Sequence, residues 1–145
     1  MVDAPQVTAT PPESVHVLRD MESGLDGVIV LHSTRRGPAA GGCRLWRYGG
    51  HAALVGDAMR LAEGMTFKNA MADLPLGGGK AVIIADPHTQ KTEALMRAFG
   101  RFVDTLGGRY LATTDVGSTG RDLEYVHQET EHVVGLPTSA GGSGD

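Results

Sequence analysis

The 145-residue chain has a single cysteine, no long apolar run and no surplus of positive charge. Cys43 has no partner for an internal disulfide, so a fold held by packing alone, in a reducing cytoplasm, is expected. No stretch approaches the ~18 consecutive apolar residues of a membrane span, and the N-terminus lacks a basic-then-apolar export pattern. With 13 Lys and Arg against 17 Asp and Glu, the net charge is −4, which argues against nucleic acid as a partner. The His127/His132 pair is five residues apart, where two ligands on one helix face need a spacing of about four, so no metal is expected. Despite 21 glycines, no three follow the Gly-x-Gly-x-x-Gly dinucleotide spacing. A Walker A loop is excluded too, because Leu74 stands at its first glycine position and Ala81 follows Lys80.

What is present centres on the segment from Gly64 through Met65-Thr66-Phe67-Lys68-Asn69 to Gly77-Gly78-Gly79-Lys80. It reads as the close of a helix, a turn through glycines and the start of a strand, with neither flank on the surface. Three glycines remove every Cβ from the turn and leave room beside Lys80. If the turn brings Lys80 near Lys68, two ammonium groups about 4–6 Å apart repel by roughly 3–4 kcal/mol at an effective dielectric near 20. One lysine then holds an anion while the other gives and takes protons. The competing reading is a glycine-rich turn with two snorkelling lysines.

Size gives one domain with room for a core. Residues 1–13, with prolines and no periodicity, read as a disordered arm, 14–139 as the folded domain and 140–145 as the start of a linker. Residues 14–34 predict two strands around Ser23-Gly24-Leu25-Asp26-Gly27, the first half-buried at an edge and suited to pairing with a second copy. Gly37-Pro38-Ala39-Ala40-Gly41-Gly42-Cys43-Arg44 predicts a binding loop after an apolar strand. Leu54, Val55, Ala58, Leu61, Ala62 and Met65 are spaced as a helix that delivers Lys68. A strand is expected over 81–85, a helix over 91–106 with a Glu93/Arg97 pair, a strand over 109–113 and a helix from Thr119, capped with Asp122, to about 131. Asp115 then falls at a strand end before a helix, where α/β sheets hold ligands, although an Asx turn is an equal account of it.

Three segments in order, Gly37 to Arg44, Met65 to Lys80 and Thr114-Asp115-Val116-Gly117, resemble the leucine/phenylalanine/valine dehydrogenases of the glutamate dehydrogenase superfamily. The resemblance runs from about Val15 to Asp145. It implies the N-terminal domain of that family: α/β, three layers (αβα) around a mixed parallel and antiparallel sheet, binding substrate and building a homo-oligomer of two or more chains. It makes Lys68 the holder of the substrate α-carboxylate, Lys80 the catalytic lysine working through a water, and Asp115 its proton-transfer partner. Gly41, Gly42, Ala40, Met65 and Thr113 become substrate-binding residues, with Lys80 and Asp115 in one cleft at strand C-terminal ends.

The implied reaction is reversible oxidative deamination of an L-amino acid with NAD, the cofactor being bound mainly by a Rossmann domain beyond this chain. The chain alone is expected to be inactive. In glutamate-specific relatives a lysine precedes the Gly-Gly pair and in leucine enzymes a leucine does; Ala40 stands here, with Thr113 expected opposite, which points to a larger apolar or aromatic substrate such as phenylalanine. The alternative is a free-standing oligomerisation or small-carboxylate-binding module without catalysis.

Overall fold

The computed structural model describes residues 10–136. The expected linker at 140–145 and most of the expected arm at 1–13 lie outside the described residues. The described end of that arm, residues 10–13, is not free. Glu13 donates its N–H to the His32 carbonyl at 3.2 Å, and its carboxylate accepts from Thr34 N and Oγ1 at 2.8 and 2.7 Å.

Five strands form one sheet in the order β1-β2-β4-β3-β5. They are β1 (Ser14–Asp20), β2 (Leu25–Ser33), β3 (Ala39–Trp46), β4 (Gly77–Ile84) and β5 (Tyr110–Thr114). β2 runs antiparallel to both β1 and β4, while β3 is parallel to β4 and β5. The mixed sheet follows from the connections: a tight turn joins β1 to β2, whereas α1 (His51–Met71) and α2 (Glu93–Thr105) carry the longer crossovers. α3 (Gly120–His127) is the third helix among the described residues.

Period-two alternation along the strands sorts side chains to two faces. Val28, Val30 and Val82 pack under Leu54, Ala58 and Ala62 of α1. Their neighbours Ile29, Leu31, Ala81 and Ile83 point the other way, into a larger core with Leu95, Phe99 and Val103 of α2 and Val126 of α3. The result is the expected three-layer αβα arrangement. The aromatics of α2 are core, and the Glu93–Arg97 pair closes to 3.9 Å on its outer side. β1 is an edge, with Val17 73% exposed and Leu18 buried.

Two glycine-rich segments differ from expectation for one reason. Gly37 to Arg44 is not a loop past residue 38, and Gly77-Gly78-Gly79 is not a turn; both lie in central strands. The glycines are there because other backbone comes too close for a Cβ. One on Gly78 would lie 2.0 Å from Thr66 N of α1, and one on Gly41 would lie 1.6 Å from the Gly79 carbonyl oxygen. The turn after α1 falls at 72–76, where Asp73 takes a left-handed φ of 55° and Arg36 pairs with its carboxylate at 3.2 Å.

α3 begins on the expected capping box of Thr119 and Asp122 but ends at His127, short of 131. Beyond it Thr130 donates to Asp104 at 3.0 Å, and the chain turns so that Val133 bridges Ala112. Two backbone bonds, Ala112 N to His132 O and Val134 N to Ala112 O, guard the open side of β5.

Candidate functional site

Lys80 is the fourth residue of β4, in mid-strand rather than at its C-terminal end, and is only 5% exposed. Strand register places it level with Gly42 of β3 and Thr113 of β5, between the paired rows Ala40–Gly78 and Cys43–Ala81. The Lys80 side chain lies on the α1 side of the sheet, as Val82 does, but toward β3 and β5. A buried ammonium needs an anion and hydrogen-bond acceptors. Asp115, one residue past β5, supplies them: its Oδ2 lies 2.9 Å from Lys80 Nζ. Gly42 makes this approach possible, since a Cβ there would stand 2.6 Å from Asp115 Cβ.

The Asp115 turn is held from several sides. Ser118 Oγ accepts from Asp115 N at 2.9 Å and donates to the Cys43 carbonyl at 2.6 Å, pinning the turn to β3. Lys91 Nζ reaches the Gly117 carbonyl at 3.1 Å and Asp122 at 2.7 Å. Arg44 Nε donates to the same Asp115 Oδ2 at 2.8 Å. Burial pushes the Asp115 carboxyl up, but the hydrogen bonds and charges of Lys80 and Arg44 outweigh it and hold the group below its ordinary value.

Arg44 is gripped in turn by α1. Its Nη1 lies 3.4 Å from Asp57 Oδ2, and Asp57 also accepts from the Tyr48 hydroxyl and from Arg60. The Tyr48 phenol is pushed up to about 12, by burial first and then by the Asp57 carboxylate, so it stays a donor. A cavity of about 780 Å³ lined by Arg44, Trp46, Tyr48, Asp57, Arg60 and Val116 opens on this outer side.

The remaining expected residues fall in three places. Gly41 and Gly42 are buried beside Lys80, and the Gly41 carbonyl accepts from the Tyr110 hydroxyl at 2.7 Å. Ala40 is buried and its carbonyl receives Asn69 Nδ2 at 3.4 Å; its cross-strand neighbour is Leu111, while Thr113 stands beside Gly42 instead of opposite Ala40. Met65 is half-buried on α1. Lys68 is exposed in the last turn of α1, with Phe67 55% exposed next to it, so this flank is surface after all. Among the described residues Lys68 forms no ion pair, and Lys80 is matched to Asp115 rather than to a second lysine.

Sequence patterning assigns no role to Arg44, Asp57, Tyr110 or Asn69. Arg44 and Asn69 lie inside the motif segments, each next to small or charged residues with a stronger signal. Asn69 is buried and also donates to the Gly77 carbonyl at 2.7 Å, fixing the end of α1 to β4. Tyr110→Phe leaves the Gly41 carbonyl without its buried donor and should lower stability by about 1–3 kcal/mol. Urea unfolding of the two proteins checks this, and superimposable curves would refute it.

A family model described as the Glu/Leu/Phe/Val dehydrogenase dimerisation domain matches residues 12–132, and the chain belongs to that family. Among its relatives, leucine dehydrogenase of Geobacillus stearothermophilus is 50% identical over 133 residues, which are 92% of this chain and 36% of that protein. Phenylalanine dehydrogenase of Bacillus thermotolerans is 47% identical over the same share of this chain and 35% of its own. The crystal structure of L-tryptophan dehydrogenase from Nostoc punctiforme superposes with a TM-score of 0.83 at 44% identity, covering 86% of this chain and 37% of that one. The chain thus spans about a third of the length of the relatives it matches. Among the described residues, no helix is long and apolar enough to cross a membrane.

Proposed function

We propose that this chain is the substrate-binding and oligomerisation domain of an NAD-dependent L-amino-acid dehydrogenase of the cytoplasm, converting an apolar or aromatic L-amino acid to its 2-oxo acid and ammonia. The observation that carries the reading is the buried Lys80 ammonium against Asp115, in the space that Gly42 leaves by having no side chain. An amine held against a carboxylate can pass a proton either way, which is what hydration of an imine and release of ammonia require. With its proton handed across the 2.9 Å contact to Asp115, Lys80 as the free amine takes a proton from the attacking water, and Asp115 gives its proton to the departing nitrogen. Lys68, at the exposed end of α1, is the cation available to a substrate carboxylate.

NAD, when bound, supplies the acceptor for the hydride leaving the substrate Cα. The described residues contain no phosphate-cradling glycine pattern, so no residue of this chain is assigned to hold it. The edge strand β1, with Val15 and Val17 exposed, is the surface we assign to a second copy, in keeping with the dimerisation-domain description of the family.

Substrate choice rests on Ala40, which is apolar and buried and so cannot pair a second carboxylate. Joined to the dinucleotide-binding part of a family relative, the chain should oxidise phenylalanine in preference to leucine and valine and should reject glutamate, with Ala40→Leu shifting the ratio towards smaller side chains. Lys80→Ala should lower kcat by about 10³-fold, and the 145 residues alone should form no NADH. Turnover that survives Lys80→Ala sinks the catalytic reading. A preference for valine over phenylalanine sinks only the pocket argument, and binding of a 2-oxo acid without any turnover selects the non-catalytic module instead.

A further inference from the structure

Asp115 receives two cations on one oxygen. Lys80 Nζ and Arg44 Nε both meet Oδ2, at 2.9 and 2.8 Å, and among the described residues Oδ1 has no protein donor. Arg44 arrives with its position already determined, because its Nη1 faces Asp57 at 3.4 Å and Asp57 is itself held by Tyr48 and Arg60. The alternating row Arg60, Asp57, Arg44, Asp115, Lys80 therefore links the α1 surface to the buried amine.

We propose that Arg44 is the positioning residue of the Lys80–Asp115 pair, locking the Asp115 carboxylate so that Oδ2 is committed to the two cations and Oδ1 stays open for proton traffic. The inference rests on the reading of Lys80 and Asp115 as reacting groups. A guanidinium does this better than an ammonium, since its planar fork serves Asp115 with Nε and Asp57 with Nη1 at once and keeps its charge at every working pH. It also shares the Asp115 charge that would otherwise fall wholly on Lys80.

The groups facing Asp115 are Lys80 from β4 and Arg44 from β3, with Asp57 of α1 behind Arg44; the Cys43 thiol and the Tyr110 phenol, buried in the core with α2, feel its charge without facing it. Burial raises both Cys43 and Tyr110 far above neutrality, so neither changes charge in the working range. Removal of Arg44 leaves burial opposed by Lys80 alone.

Carbon-detected NMR titration of the Asp115 carboxyl in the 145-residue chain tests this. Arg44→Gln should move the midpoint up, by about tenfold in proton affinity, as expected for loss of an adjacent opposite charge. Arg44→Lys should move it less. In the parent, the Arg44 Nε–H signal should shift with the same midpoint as the Asp115 carboxyl, a readout that stands even if Arg44→Gln does not fold. A midpoint unchanged in Arg44→Gln, or an Arg44 signal that ignores the Asp115 titration, overturns the proposal. In the enzyme completed with a dinucleotide-binding part, Arg44→Lys should lower kcat more than it raises KM and carry the acid limb of the rate to higher pH. A raised midpoint in an enzyme whose turnover survives Asp115→Ala upholds the coupling and sinks Asp115 as a reacting group.

Discussion

Asp115→Ala should destabilise the domain by roughly 2–4 kcal/mol, while Lys80→Met should cost far less, although each removes one end of the same contact. Breaking a buried pair leaves an uncompensated charge, worth about 3–5 kcal/mol in a dry site. The lower figure applies because the Asp115 side chain is 21% exposed. Without Asp115, the Lys80 ammonium, 7% exposed, has lost its carboxylate, whereas Arg44 still has Asp57. Without Lys80, the Asp115 carboxylate keeps Arg44 at 2.8 Å. Adding Lys80→Met to Asp115→Ala should therefore recover part of the loss.

Urea unfolding of the two single variants and the double variant checks the cycle. Equal losses for the singles, or a double equal to their sum, would remove the claim that Asp115 carries the pair. The sign of the pH effect follows. Asp115 is held below its ordinary value of 3.8, so the stability it contributes is complete above that pH and is lost as pH falls through its folded value. Asp115→Ala should flatten this acid sensitivity.

The second large effect is expected at Gly78. A methyl group there meets Thr66 N at 2.0 Å and Thr66 Oγ1 at 2.3 Å, so the backbone of α1, not a flexible side-chain tip, has to move. α1 covers Val28, Val30 and Val82, and lifting it exposes that core. Gly78→Ala should cost about 3 kcal/mol or more, at or above the upper end of ordinary overpacking. Gly64, on the outer side of the same helix, has nothing within 4 Å of where a Cβ would be. Gly64→Ala should stabilise by about 0.5–1 kcal/mol through helix propensity. Thermal unfolding of both variants is decisive, and a Gly78→Ala protein that melts with the parent would mean that the close approach of α1 to β4 is wrong.

Periodicity and caps make much of the fold legible in the amino-acid sequence. The hairpin over 14–34, the apolar face of α2 and the Thr119–Asp122 capping box are local patterns whose physics lies within a few residues. The glycine segments mislead because a glycine in a turn and a glycine under a crossing helix look alike in sequence. Only the approach of Thr66 to Gly78, from 12 positions away, tells them apart.

Lys80 and Asp115 are marked by their surroundings in the chain and do meet. A coupling of Lys80 to Lys68 rests on proximity in sequence alone, and α1 ends with Lys68 in solvent. Arg44 and Asp57 are invisible as a pair, since an arginine on a strand and an aspartate on a helix carry no signal of each other until the sheet and α1 are packed.

The position of Lys80 has a consequence for timing. Functional amines carried on loops move with those loops, but β4 is the middle strand of five, bonded to β2 on one side and β3 on the other. Such a strand is the last part of a domain to open, on the slow scale that amide exchange reads in hours rather than microseconds. For the role we propose for Lys80, this makes the amine a stationary post at which a substrate would be received.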